Sequence, residues 1–186
     1  MDLAEGKIDK AKSAIGVVKN DLKKFGDLIN SLLEIAKIDK TNDKVKSINI
    51  QEIIEEIVVS YKGSIPDEIK IRIEKNVKIN FPENHLRIIL NNLIGNAIKY
   101  TKKRGRINIE VAKRNGIEIA VENEAIHLKS TDLQRIWQRN ERLKVFKRIT
   151  GNGIGLYLVK EVADHHGLTI HQNLNNGLFR ISVSGF

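Results

Sequence analysis

The spacing of apolar residues changes once along this chain, near residue 40, and the change divides it. Upstream, Ile8, Ala11, Ile15, Val18, Leu22, Phe25, Ile29, Leu32 and Ala36 recur at alternating steps of three and four. A seam sustained for about four heptads, with Lys and Asp between, predicts a helix that lays one stripe on a partner helix. Leu28 and Leu33 widen the stripe toward the bundle kind. Gly16 and Gly26 weaken it, each by about 1 kcal/mol against alanine. An ordinary long core helix of a single domain is the other reading of the same residues. Lys40-Thr-Asn-Asp-Lys44 then interrupts the pattern and separates a unit 1–44 from a unit 45–186.

Past the break, helical and alternating stretches follow one another. Strands are expected at 47–50, 68–74 and 77–80, and amphipathic helices at 51–62 and 83–100. A hairpin of 106–112 and 117–121 turns through Arg114-Asn115-Gly116, an Asn-Gly signal. A short helix near 131–138, a helix over 155–166 and strands at 168–172 and 178–184 around Asn175-Asn176-Gly177 complete the order. Strand runs with helices on one side predict an α+β two-layer sandwich, here preceded by a long bundle or coiled-coil helix.

Two segments carry chemistry. Leu90-Asn-Asn-Leu-Ile-Gly-Asn-Ala-Ile-Lys-Tyr-Thr101 keeps a helical apolar face through Leu90, Leu93, Ile94, Ala97 and Ile98. Asn92, Asn96 and Lys99 share a second stripe, although asparagine is roughly 0.6 kcal/mol worse than alanine in a helix. Neutral oxygens ending in a cation suit a hydrated metal beside a polyphosphate; a solvated face accounts for the same residues equally well. Gly151-Asn-Gly-Ile-Gly-Leu156 puts three glycines at alternate positions before a helix, where backbone amides and the helix N-terminus favour an anion. It is neither a Walker loop, since no Gly-Lys-Ser/Thr follows, nor a dinucleotide fingerprint, since a basic loop and not a strand precedes it. A flexible hinge is the plain alternative.

Composition removes other chemistries. There is no cysteine, so thiolate catalysis and thiolate metal sites are excluded. No apolar run reaches the length of a membrane span, Met1-Asp2-Leu3 does not begin a signal peptide, and no membrane contact is expected. His85, His127, His165, His166 and His171 form no zinc spacing and are expected in surface or partly buried packing. A net charge of +9 implies an anionic partner. With aromatics at 5% and lysines spread along the chain, that partner is not expected to be nucleic acid.

The asparagine helix and the glycine loop, in this order and spacing, resemble the N box and second glycine box of sensor histidine kinase catalytic domains. These belong to the nucleotide-binding fold shared with DNA gyrase, heat-shock-90 chaperones and mismatch-repair ATPases. The resemblance covers residues 45–186; Leu28-Ile-Asn-Ser-Leu-Leu-Glu-Ile-Ala-Lys37 is similar to the end of the second helix of the family's dimerisation and phosphotransfer hairpin. Ile136-Trp-Gln-Arg-Asn140 resembles the F box, with Trp137 in the phenylalanine place. The resemblance implies a Bergerat-type fold that binds ATP and Mg2+. It implies that Asn96 ligates Mg2+ with Asn92 beside it, that Lys99 neutralises phosphate, and that Tyr100 packs near the nucleotide. Gly151, Asn152, Gly153, Ile154, Gly155 and Leu156 would wrap the phosphates. Residues 128–150, from Leu128 on, would form a lid whose Arg139, Arg142, Lys144, Lys147 and Arg148 are candidates to steady the transferred phosphoryl group. The partners implied are an acceptor-histidine helix of the same or a partner kinase and a response-regulator receiver domain. A homodimer through the N-terminal helix and a cytoplasmic location, alone or as part of a membrane-anchored kinase, are implied as well.

Two departures qualify the match. Where the family's first glycine box should follow the second hairpin strand, this chain reads Val121-Glu-Asn-Glu-Ala-Ile-His-Leu128, with Asn123 in the place of the adenine-reading aspartate and Ala125 and His127 in those of glycines. Strand alternation should turn the neighbouring Glu122 to the opposite face. No histidine precedes His85, so the chain starts after the acceptor helix or carries a degenerate one, and no autophosphorylation is expected at the usual site. The alternative function is a degenerate nucleotide-binding or pseudokinase module that regulates or scaffolds without phosphoryl transfer.

Overall fold

The computed structural model describes residues 11–12, 14–19, 22, 25–26, 29, 33, 44–61, 68–75, 77–102, 104–114, 116–125, 128–138 and 153–186. Seven strands and three helices are described after residue 44: β1 (Lys46–Ile48), α1 (Ile50–Ser60), β2 (Glu68–Ile73), β3 (Ile79–Phe81), α2 (Glu83–Tyr100), β4 (Arg106–Lys113), β5 (Ile117–Glu124), α3 (Gly155–His166), β6 (Thr169–Asn175) and β7 (Leu178–Ser184). Where one short helix was expected near 131–138, two 3-10 turns stand at Ser130–Asp132 and Arg135–Trp137. Such short pieces satisfy local backbone groups without the nucleus that a longer α-helix needs.

The strands form two sheets. β1 and β3 pair antiparallel as a small one, with Ile48 opposite Ile79. The other five run in the order β2-β4-β5-β7-β6, parallel between β2 and β4 and antiparallel elsewhere. The β4–β5 hairpin is as expected, with Lys113 opposite Ile117. In the β6–β7 hairpin Asn175 faces Leu178, leaving Asn176 and Gly177 as a two-residue turn at φ +49° and +76°. Both central residues at positive φ are what the tight hairpin turn requires, and Asn-Gly meets that at little steric cost.

Strand alternation sorts the large sheet into two faces. Ile107, Ile109, Val111, Ile119, Val121, Phe179, Ile181 and Val183 are buried and share one core with Leu86, Ile89, Leu90, Leu93, Ile94 and Ile98 of α2 and Val159, Val162 and Ala163 of α3. At about 25 cal/mol per Å2 of apolar area, this stripe-on-sheet burial is the main force holding α2 in place. The opposite face is polar: Arg180 bonds Glu110 at 2.9 Å and Glu118 at 3.3 Å, and holds the Glu110 carboxyl below the usual carboxylate range.

The N-terminal seam is described only at scattered positions. Ile15, Val18, Leu22, Phe25 and Ile29 have helical backbone and are exposed, and Leu33 shares both properties. Ala11 is helical and exposed as well, whereas Ile8, Leu32 and Ala36 lie outside the described residues, so no continuous helix is defined there.

Candidate functional site

Helix α2 presents the asparagine stripe as the sequence anticipates. Its apolar side, from Leu86 to Ile98, is buried, whereas Asn92 and Asn96 are half-buried and Lys99 is exposed. The two amides differ in their commitments. Asn92 Nδ2 donates to Ile88 O one turn back, at 2.7 Å. Asn96 has no hydrogen-bond partner among the described residues, so its carbonyl oxygen is a hard donor free to meet a metal or its water. Among the described residues no group of three or more His, Asp or Glu side chains is placed to hold a metal ion. The Asn96 oxygen is the kind of hard donor that an amide-and-phosphate site for Mg2+ would use. Tyr100 is half-buried at the end of the helix.

Helix α3 begins directly beside Asn92. A Cβ at Gly155 would sit 2.6 Å from Asn92 Oδ1 and 3.4 Å from its Cγ, so any other residue would force the Asn92 amide or the start of α3 to shift. Gly153 holds φ +68°. Ile154 precedes the helix with no side-chain cap, and the first helical bond runs from Leu158 N to Ile154 O at 2.9 Å. The first-turn N–H groups thus lack intrahelical partners next to the asparagine stripe, which makes this corner attractive to an anion. The Ile154 side chain is buried and Leu156 half-buried, so these residues could meet a ligand through backbone. Arg139, Arg142, Lys144, Lys147, Arg148, Gly151 and Asn152 lie outside the described residues.

The other residues that the sequence points to stand at the end of β5 and just beyond it. Asn123 is buried on the helix-facing side of the sheet, opposite Ile107 and Phe179. Its Nδ2 donates to Glu124 O at 3.2 Å, which directs the amide by its nitrogen end. Glu122 takes the other face, as alternation requires, and accepts from Asn108 Nδ2 at 3.0 Å. Ala125 is buried, its N–H donating to Gly177 O at 2.7 Å, and Leu128 N–H donates to Ala125 O at 2.9 Å.

Two features escaped sequence reasoning. One is Gln172 on β6, whose amide meets both 3-10 turns: Trp137 Nε1 in the second donates to Gln172 Oε1 at 2.8 Å, and Gln172 Nε2 donates to O of Leu133, at the end of the first, at 3.2 Å. A polar residue between Ile170 and Leu174 in an otherwise apolar stripe was its available signal. The other is a histidine cluster. His85 Nδ1 and His166 Nε2 are 2.7 Å apart, joining the start of α2 to the end of α3. Only 3% of His85 is exposed, so it is a core residue and not a surface one. Its signal was its place on the apolar stripe of α2, one residue before Leu86.

The cluster sets a pH dependence. Burial, with His85 and His165 as neighbouring like charges, pushes His166 down to about 4. In an unfolded chain a histidine takes its proton near pH 6.5. Below that pH the unfolded state binds the proton first, so this pair's stabilisation is complete above about 6.5 and is lost as pH falls toward about 4. The melting temperature is expected to drop between about pH 7.5 and about pH 5, and His166→Phe, which can keep the ring contact with Phe81, to flatten that slope. An unchanged slope in the variant would assign the effect to other groups.

Comparisons with known proteins bear on the same elements. The family described as "Histidine kinase-, DNA gyrase B-, and HSP90-like ATPase" matches residues 82–183, from the N-cap of α2 to β7. The chain is 28% identical over 169 residues to sensor histidine kinase HprS of Escherichia coli K12, a match of 88% of this chain and 37% of that protein. It is 26% identical over 184 residues to sensor histidine kinase WalK of Bacillus subtilis 168, covering 89% of this chain and 29% of the relative. The chain thus spans about a third of the length of these curated relatives. Among solved structures, full-length ShkA in complex with AMPPNP superposes with a TM-score of 0.70 at 17% identity, over 94% of this chain and 39% of that one. The Acinetobacter baumannii histidine kinase AdeS gives 0.69 at 16% identity, over 97% and 90%. At such identities the superpositions show the fold. Among the described residues no helix is long and apolar enough to cross a membrane.

Proposed function

The chain belongs to the histidine kinase-, DNA gyrase B- and HSP90-like ATPase family; we propose that it is the catalytic ATPase domain of a two-component sensor histidine kinase, binds Mg-ATP between α2 and α3 and donates the terminal phosphoryl group to a histidine on a dimerisation helix, which residues 1–186 do not supply. The observation that carries this reading is the approach of Gly155 to Asn92 Oδ1, which brings the two sequence motifs to one corner. Asn96 offers its uncommitted oxygen to the metal, Lys99 neutralises phosphate charge, and the α3 N-terminus with Gly151 to Leu156 cradles the phosphates. Mg2+, when bound, neutralises and orients the phosphate oxygens; the chain's own residues position and exclude water. Cations of residues 139–148, Arg139 and Arg142 first, complete the charge around the transferred group. The remaining parts of the proposal follow from the family: residues 1–44 are the second helix of a dimerisation hairpin, and the partners are an acceptor-histidine helix and a receiver domain.

Calorimetric titration of the chain with AMPPNP, with and without Mg2+, tests the binding step. Saturable binding that tightens with Mg2+ is expected, and its absence would favour the degenerate, non-catalytic module. Base reading falls to Asn123. With Nδ2 turned to Glu124 O, its oxygen can accept from the adenine amino group, but as a neutral acceptor. Charge-assisted bonds are roughly twice as strong, so Asn123→Asp is expected to sharpen the ATP-to-GTP affinity ratio about five- to tenfold. The ratio is the proper readout, because the variant also loses the bond to Glu124 O. An unaltered chain as selective as the variant would refute this assignment.

A further inference from the structure

We propose that Gln172 is a positioning residue for the nucleotide site, acting through Trp137; the inference rests on the nucleotide reading above. On β6 the side chains of Ile170, Gln172 and Leu174 alternate inward, and Ile170 and Leu174 pack against the core. A glutamine in that stripe is costly unless both ends of its amide are bonded. Here both are: the oxygen accepts from Trp137 Nε1 and the nitrogen donates to Leu133 O.

The consequence lies in what those two partners belong to. Leu133, Ile136 and Trp137 are half-buried against the core, and the turn that holds Ile136 and Trp137 packs on α3, whose first residue faces Asn92. Apolar packing is non-directional and lets such a turn slide along its support. Two hydrogen bonds of defined direction do not, so Gln172 fixes the turn against the sheet edge and hence the surface beside α3. The tryptophan and the glutamine also explain each other. A half-buried indole N–H needs an acceptor, and Gln172, 35 residues away in sequence, is that acceptor.

The chain has one tryptophan, so its emission reports this indole alone. Gln172→Leu matches the neighbouring side chains and keeps the stripe apolar. In the full chain without ligand, the variant is expected to shift Trp137 emission and change its quenching by acrylamide. AMPPNP with Mg2+ should bind about three- to tenfold more weakly, the size carried by one or two tertiary hydrogen bonds, with the circular-dichroism melt nearly unchanged. Trp137→Phe should cost a similar factor, and adding Gln172→Leu to it should cost nothing more. Unchanged emission would overturn the hydrogen bond. Shifted emission with full affinity, or losses that multiply in the double variant, would overturn the positioning role. If the unaltered chain binds no AMPPNP, the nucleotide reading itself fails, and that is seen before any variant is made.

Discussion

Gly155→Ala is expected to weaken nucleotide binding by about tenfold or more, through one added methyl group. The added Cβ would stand 2.6 Å from Asn92 Oδ1. Asn92 has a short side chain, and its amide nitrogen is held by Ile88 O at 2.7 Å. Either that bond breaks and the amide swings away, or the first turn of α3 retreats from α2. Both outcomes separate the asparagine stripe from the helix N-terminus. The core beneath remains intact, since Val159, Val162 and Ala163 still pack on it. Calorimetry with AMPPNP and a thermal melt together check the expectation: affinity falls while the melting temperature moves little. Asn92→Ala in the Gly155→Ala background removes the clash and should restore part of the loss. A double variant no better than Gly155→Ala would mean that the glycine serves something other than this approach.

Asn96→Ala should produce a different pattern, in which stability rises and function falls. Asn96 is half-buried and has no hydrogen-bond partner among the described residues, so its replacement leaves no polar group stranded. Alanine is the better helix former by roughly 0.6 kcal/mol, and the variant should melt slightly higher. If the side chain holds Mg2+, AMPPNP affinity should lose its dependence on Mg2+, with metal binding weakened at least tenfold to a hundredfold. A residue that is unfavourable for its helix yet required for binding is the signature of a functional site. Full Mg2+ dependence in the variant would return Asn96 to an ordinary solvated face.

Much of this was legible in the chain. The helix over 83–100 has the expected bounds because its apolar period is unbroken from Leu86 to Ile98, and α3 likewise over 155–166. The two turns with Asn-Gly fall where expected because the positive φ of Gly116, Asn176 and Gly177 is a local property of such residues. Glu122 faces away from Asn123 because alternation needs no knowledge of the partners. The segment near 131–138 has the pattern of one short helix and is two 3-10 turns, since only tertiary packing of Leu133, Ile136 and Trp137 decides how so short a piece closes. The histidine cluster was missed for a similar reason: His85 and His166 are 81 residues apart, and no spacing rule joins them.

The sequence by itself determined which residues are helical, which alternate, and which carry oxygens and glycines fit for a metal and phosphates, because periodicity and residue chemistry act over a few residues. The tertiary structure alone decided that Gly155 meets Asn92, that His85 meets His166, and that Gln172 holds Trp137. Those contacts join elements that chain order separates, and they form only when burial of the shared core sets α2, α3 and the sheet against one another.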